Sequence, residues 1–190
     1  MDLGFSGATA VIAGGTRGIG RATALCLARE GCRVGIIGRD ESRLAAAADA
    51  ARDAGSPEVL TLRADLTSSA DVAGVFDELT SRWGVLNVLV NAAGLAGAGR
   101  FEDLTDADWA DTFEQGVTSA VRCVRAALPL LRSADWARIV NVTAMSVQHQ
   151  SPGLVSYTAA KGALLSVTKN LARHSVPSPV VTAHRPDGSS

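Results

Sequence analysis

The sequence has no run of about 18 apolar residues, so no part of it reads as a membrane-spanning helix. It has no charged start followed by a short apolar core of the secretory kind, and the chain is expected to be cytoplasmic. An excess of one charge is missing too. Eighteen basic against 19 acidic side chains give a formal net charge of -1, which argues against nucleic acid or an anionic membrane as a partner. Cysteine is scarce. Cys26, Cys32 and Cys123 form no C-x-x-C pair, so the sequence indicates neither a disulfide framework nor a metal site, and buried thiols in a reducing compartment are expected. What is abundant is apolar surface: 47% hydrophobic residues against 19% charged suffice to offset chain entropy. At 190 residues the chain fits a single core.

Residues 8–13, 33–37, 59–62, 86–90 and 138–142 are short apolar runs that read as strands. Helical stripes alternate with them. Residues 19–30 are closed by Gly31, and the alanine-rich stretch 44–54 is ended by Gly55 and Pro57. Ser68 or Ser69 caps a helix carrying Val72, Val75, Phe76, Leu79 and Trp83 on one face. Thr105 and Asp108 open a capping box, after which Trp109, Phe113, Val117, Val121, Val124, Leu128 and Leu131 mark one long buried helix face. Tyr157, Lys161, Leu164, Thr168 and Leu171 lie about one turn apart on a last helix entered after Pro152 and Gly153. Such alternation predicts an α/β fold, a Rossmann-like doubly wound parallel sheet of five clear strands. Residues 1–173 form the domain and 174–190 an irregular tail, in which 180–183 could add a stub of a sixth strand.

In such sheets ligands bind beyond the carboxyl ends of the strands. There the sequence places Gly14, Gly15, Thr16, Arg17, Gly18, Ile19 and Gly20, between the first strand and the first helix. Glycines permit a tight turn and close backbone approach to a pyrophosphate, and the helix N-terminus supplies oriented amides. No lysine followed by serine or threonine closes the motif, which disfavours a GTPase-type loop. The second strand ends in Gly38, Arg39 and Asp40. Arg39 and Arg17 together would make a guanidinium clamp for a 2′-phosphate, so NADP(H) is favoured over NAD(H). The plainer alternative is a solvated Arg39, with Asp40 capping the next helix.

The i,i+4 spacing of Tyr157 and Lys161 puts a phenol and an ammonium on one helical face. A phenol titrates near 10, so proton transfer near neutrality needs a shift of about three units, or about 4 kcal/mol. One ammonium at about 4 Å and an effective dielectric near 20 offers about that much. Without the glycine loop, the same pair would read as an amphipathic edge with a snorkelling lysine.

Taken together, these residues resemble the classical short-chain dehydrogenase/reductase family over about residues 5–173. The resemblance implies that Gly14 to Gly20 bind the dinucleotide, with Ala13 standing where threonine is common. It implies that Asp65 and Leu66 hold the adenine ring, and that Asn91, Ala92, Ala93 and Gly94 support the central strands and line the cofactor site. It further implies that Tyr157 exchanges the proton with the substrate oxygen, while Lys161 binds the nicotinamide ribose and depresses the phenol's pKa. The substrate would be a small carbonyl compound or secondary alcohol. The helices of Trp109 and Tyr157 would form a homo-oligomer.

Departures from the pattern accompany the resemblance. The family's substrate-polarising serine, thirteen residues before the tyrosine, falls at Ala144, and one lost oxyanion donor costs about 10² to 10³ in rate. Ser146 lies two residues on and, on extended backbone, would face the same side; it is the candidate replacement, or else a loop serine bonded to backbone or water. The family's helix asparagine falls at Gly116. A full sixth strand, a substrate-covering segment and a seventh strand are not matched, which implies a chain truncated at its C-terminus. The sequence leaves two readings: an NADP(H)-dependent oxidoreductase, or a catalytically impaired cofactor-binding or structural subunit.

Overall fold

The apolar runs become β1 (Thr9–Ala13), β2 (Arg33–Gly38), β3 (Val59–Arg63), β4 (Val88–Asn91) and β5 (Arg138–Val142), and Val181–Ala183 adds a three-residue β6. The structure, a computed structural model, describes residues 3–94, 99–149, 151–174 and 181–183. Of the expected tail and strand stub, residues 175–180 and 184–190 lie outside the described residues. All pairings are parallel and the strand order is β3-β2-β1-β4-β5-β6. Ala13 is level with Ile37 on one side and Asn91 on the other, and Asn91 with Asn141, so the carboxyl ends of four strands form one rim.

Crossovers cover both faces, as parallel strands require. α1 (Gly18–Arg29) and α2 (Glu41–Asp53) lie on the side of Ala10, Ile12, Val34 and Ile36. α3 (Ser69–Arg82) and α5 (Ser119–Arg132) pack on the side of Val11, Ile37, Leu89 and Ile139. Sequence order reverses between β1 and β4, which opens a crevice at the rim between them. The expected caps are present: Asp40 accepts from Arg43 N, Ser68 from Asp71 N, and Thr105 and Asp108 make the reciprocal box that starts α4 (Asp106–Phe113).

Two expectations are corrected. The long helix face is not continuous, because one π-turn, Glu114–Thr118, separates α4 from α5. Its wider ring, closed by Ser119 N donating to Glu114 O, rotates the helix beyond it, so the buried stripe of α5 runs through Ala120, Cys123, Val124, Ala127, Leu130 and Leu131. Trp109 and Phe113 stay half-exposed on α4, which buries no residue fully. Likewise Cys26 is exposed on the outer face of α1, whereas burial raises the thiols of Cys32 and Cys123 to about 11 and about 12.

A polar chain crosses the core beneath the rim. Asn91 Nδ2 donates to Asn141 Oδ1 at 2.8 Å, Asn141 Nδ2 to Thr168 Oγ1 at 2.9 Å, and Thr168 Oγ1 to Leu164 O at 2.7 Å. This ties β4 and β5 to α6 (Val155–His174). Thr168→Val keeps the shape but leaves a buried amide without an acceptor, and is expected to lower stability by about 1–3 kcal/mol in urea denaturation. Thr61→Val, at an exposed position of β3, should stay within about 0.5 kcal/mol of the parent.

Candidate active site

The glycine turn is shaped by contact as well as by conformation. A Cβ on Gly20 would lie 2.2 Å from Gly14 O, and one on Gly14 would lie 2.8 Å from Ala93 N, so α1 sits hard against the turn and the turn against the end of β4. Gly18 differs. It has φ +52 and nothing within 4 Å of a Cβ, so here glycine is required by the backbone and leaves open space. Ile19 beside it is exposed.

α2, α3 and α4 each start on a capping side chain and carry an acidic residue in the first turn. By contrast α1 starts on Arg17, with no side-chain cap and no acid in its first turn. Among the described residues no side chain or acid of the first turn caps the amides of Gly18, Ile19 and Gly20, and the positive end of the helix faces the rim. A missing cap, an open glycine and a free cationic end fit the pyrophosphate of a dinucleotide.

Around this turn the structure gathers the other expected cofactor residues. A Cβ on Gly38 would meet Thr16 Cγ2 at 2.6 Å, so the end of β2 closes directly on the glycine turn. Arg39 follows and is exposed, its Nη1 3.9 Å from Asp65 Oδ2. Asp65 Oδ1 accepts from both the backbone N–H and the hydroxyl of Thr67, which hold its carboxyl below the usual range. The half-buried Leu66 packs on the core, and its carbonyl accepts from Arg122. Arg17 is exposed as well.

Residues 91–94 bridge the two halves of the site. Ala92 N donates to Ala13 O at 2.9 Å, and Asn91 is buried with its Oδ1 unpartnered among the described residues. Gly94, at φ +144, leaves room for Lys161: a Cβ there would lie 3.2 Å from Nζ. Lys161 is 3% exposed, and its Nζ donates to Val142 O at 2.9 Å. The other two N–H donors find no acceptor among the described residues, a donor set that suits ribose hydroxyls. Nζ lies 5.9 Å from the ring centroid of Tyr157, which is the chain's one tyrosine. Burial lowers the lysine from 10.5 to about 8.

Beyond β5 the backbone is extended at Ala144 and then closes a 3-10 turn, Met145–Val147. The extended run expected to carry Ser146 onto the side of Ala144 therefore ends too early. Ser146 reaches α6 instead, where its Oγ accepts from Thr158 Oγ1 at 2.8 Å. Gly116 sits in the π-turn, its Cα side toward Ala160 Cβ, 3.2 Å from where a Cβ would be. Thr158, Arg122 and the carbonyl of Val142 escaped the sequence reading. The hydroxyl next to the tyrosine, three residues before the lysine, was the one available signal for Thr158.

A parallel sheet with an uncapped helix at its topological crevice, and a buried lysine one turn beyond a tyrosine, defines a dinucleotide-binding protein of the Rossmann class. The family model for short chain dehydrogenases matches residues 8–184, and the chain belongs to that family. It is 34% identical over 163 residues to a 3beta-hydroxysteroid dehydrogenase of Mediterraneibacter gnavus, covering 85% of this chain and 58% of that protein. To a D-beta-hydroxybutyrate dehydrogenase of Rhizobium meliloti it is 32% identical, with 86% and 64% covered. The chain thus spans about three fifths of the length of these relatives. Among solved structures, the L-sorbose reductase of Gluconobacter frateurii complexed with NADPH and L-sorbose superposes with TM-score 0.87 at 30% identity, covering 91% of this chain and 66% of that one. The NADH-dependent reductase A1-R′ complexed with NAD gives TM-score 0.87 at 27% identity, with 98% and 82% covered. No helix among the described residues is long and apolar enough to cross a membrane.

The buried lysine generates a pH prediction. Its folded value, about 8, lies below its ordinary 10.5, so between these the unfolded chain holds a proton that the folded chain has lost. Stability from this group therefore rises with pH across that window. Below it, the buried charge is a constant penalty. Lys161→Met removes the group, so the gap in urea midpoint between variant and parent should move in the parent's favour from about pH 7 to about pH 9. A gap that stays level across that range would contradict the assignment.

Proposed function

We propose that the chain is an NADP(H)-dependent oxidoreductase that interconverts a small carbonyl compound and a secondary alcohol, with Tyr157 as acid and base. The observation that carries this reading is the ammonium of Lys161, buried 5.9 Å from the Tyr157 ring and beneath Gly94 at the glycine-turn crevice. A bound nicotinamide supplies the hydride. In the reducing direction Tyr157 Oη gives its proton to the substrate oxygen, and the phenolate left behind is stabilised by Lys161. Ser146 donates a hydrogen bond to the same oxygen without losing its proton. Gly14, Thr16, Gly18, Ile19 and Gly20 seat the pyrophosphate; Asp65 and Leu66 border the adenine; Asn91, Ala92 and Gly94 wall the nicotinamide side.

The preference for NADP(H) is supported by the end of β2. Asp40 Oδ1 is engaged as the cap of α2, accepting from Arg43 N at 2.9 Å and Ser42 Oγ at 2.7 Å, and its Oδ2 lies 3.8 Å from Arg43 Nε, which turns the carboxylate toward its own helix. The exposed cations are Arg39 and Arg17, and they suit a 2′-phosphate. Similar structures hold NADPH in one case and NAD in another, so the preference rests on these residues. Residues 1–173 act as one unit, in the cytoplasm, within a homo-oligomer. Phe101, 68% exposed and edge-on to Trp109 at 6.3 Å, supports an interface along α4.

A nucleotide-binding subunit without turnover is the competing reading, favoured by Ala144, which has no hydroxyl to offer. The purified chain should bind NADPH and oxidise it, at the nicotinamide absorbance, with some member of a carbonyl panel. Tyr157→Phe is expected to abolish that turnover while NADPH affinity changes less than about threefold. Binding with no oxidation across the panel would favour the subunit. Separately, Arg39→Ala should weaken NADPH about tenfold, by loss of a charged hydrogen bond, and leave NADH nearly unchanged in a fluorescence titration.

A further inference from the structure

Hydroxyls inside the helices of this chain mostly fold back on their own helix. Thr23 donates to Ile19 O, Thr80 to Phe76 O, Thr112 to Asp108 O, Ser119 to Gln115 O and Thr168 to Leu164 O, each four residues back. This is the ordinary resting place of a helical hydroxyl, which satisfies its proton without leaving the element. Thr158 breaks the pattern. The carbonyl four residues back, Leu154 O, takes the backbone N–H of Thr158 at 2.8 Å, while Thr158 Oγ1 leaves the helix and donates to Ser146 Oγ at 2.8 Å.

Thr158 is 8% exposed, so the donor end of this part-buried bond is sheltered from water, and the bond links two segments twelve residues apart. On one side is the 3-10 turn Met145–Val147, pinned at its exit by Gln148 N and His149 N, which both donate to Met145 O at 2.9 Å. On the other is the turn of α6 that carries Tyr157 and, three residues after Thr158, Lys161. A serine hydroxyl has one proton to give and two lone pairs to receive. Because Ser146 receives from Thr158, its own proton is left to donate, and among the described residues it has no other partner. Receiving one hydrogen bond also makes that proton a better donor.

We infer that Thr158 is a positioning residue: it holds Ser146 so that the serine, in place of the missing hydroxyl at Ala144, presents its proton to the substrate oxygen served by Tyr157. The inference rests on the function proposed above and deepens it. Its proton account is simple. In reduction the carbonyl carbon gains hydride from the reduced nicotinamide and the oxygen gains the Tyr157 proton, while Ser146 and Thr158 keep theirs. Thr158 does not touch substrate; it removes rotamer freedom from the group that does.

The test is steady-state kinetics of the full chain with NADPH and the best carbonyl substrate, on Ser146→Ala, Thr158→Val, Thr158→Ser and the double variant Ser146→Ala/Thr158→Val. NADPH affinity by fluorescence and thermal unfolding are measured alongside. Ser146→Ala is expected to lower kcat about 10² to 10³ fold. Thr158→Val, which keeps the shape and loses the hydroxyl, should lower kcat about tenfold with NADPH affinity and melting temperature close to the parent. Thr158→Ser, which keeps the hydroxyl and loses the methyl, should recover most of that loss. The double variant should be no worse than Ser146→Ala alone, because two residues acting as a unit are not additive. Full kcat in Thr158→Val, equal damage from Thr158→Ser, or additive losses in the double variant would overturn the inference while leaving the oxidoreductase reading intact. Should Thr158→Val fail to fold, Thr158→Ser and Ser146→Ala carry the decision on the same kcat comparison. A parent chain that binds NADPH and reduces nothing removes both.

Discussion

A charged group taken out of water sets the terms for this site. Lys161 is 3% exposed, and desolvation lowers its pKa to about 8, so the fold holds an ammonium at a cost that nothing in the core itself requires. Its one acceptor among the described residues, Val142 O, comes from the end of β5, and its space comes from the absent side chain of Gly94 after β4. Both strand ends are fixed by the register that levels Asn91 with Ala13 and Asn141. The lysine is thus placed by the sheet rim as much as by its own helix. A partly satisfied buried cation is what a phenol needs beside it if the phenol is to lose a proton easily.

The opposite end of the crevice is prepared by omission. Among the described residues α2, α3 and α4 each spend a side chain on their N-terminus, and α1, which faces the crevice, does not. Arg122 then couples the segment after β3 to the helix layer. Its guanidinium donates to Ser69 Oγ at 3.0 Å and Leu66 O at 3.4 Å, and it pairs with Glu114 at the start of the π-turn. Two residues along that turn, Gly116 packs against Ala160, the neighbour of Lys161. A contiguous set of polar and close-packed contacts therefore runs from Leu66 to α6, the helix of Tyr157 and Lys161.

The alternation of strands and helices, the caps at Asp40, Ser68 and Thr105, and the glycine turn were legible because each is a local pattern: periodicity, a side chain three residues from an amide, a cluster without Cβ atoms. What was not legible depends on distance along the chain. Asn141 meets Asn91 across 50 residues and Thr168 across 27, and Arg122 meets Ser69 across 53. The π-turn was hidden for another reason. One extra residue in a helical ring leaves the apolar spacing of Trp109, Phe113 and Val117 looking regular, although the helix beyond it has rotated. Ser146 was singled out from the wrong geometry, since the extended backbone on which its orientation was reckoned goes no further than Ala144, two residues past β5.

The two departures from the family pattern at the site differ in kind. Ala144 removes a donor, and a donor can be moved: any hydroxyl that a neighbouring turn brings within reach serves the same electrostatic end, provided something fixes its direction. Gly116 removes bulk, and the structure has already closed over it. A side chain there would begin 3.2 Å from Ala160 Cβ, so α6 or the π-turn would have to give by a few tenths of an ångström beside the buried lysine. On the function proposed above, chemistry lost at the first position is supplied by a side chain two residues away. At the second, only backbone and packing are on offer, so the proton held by Lys161 is governed by its burial and by Val142 O rather than by a neighbouring amide side chain.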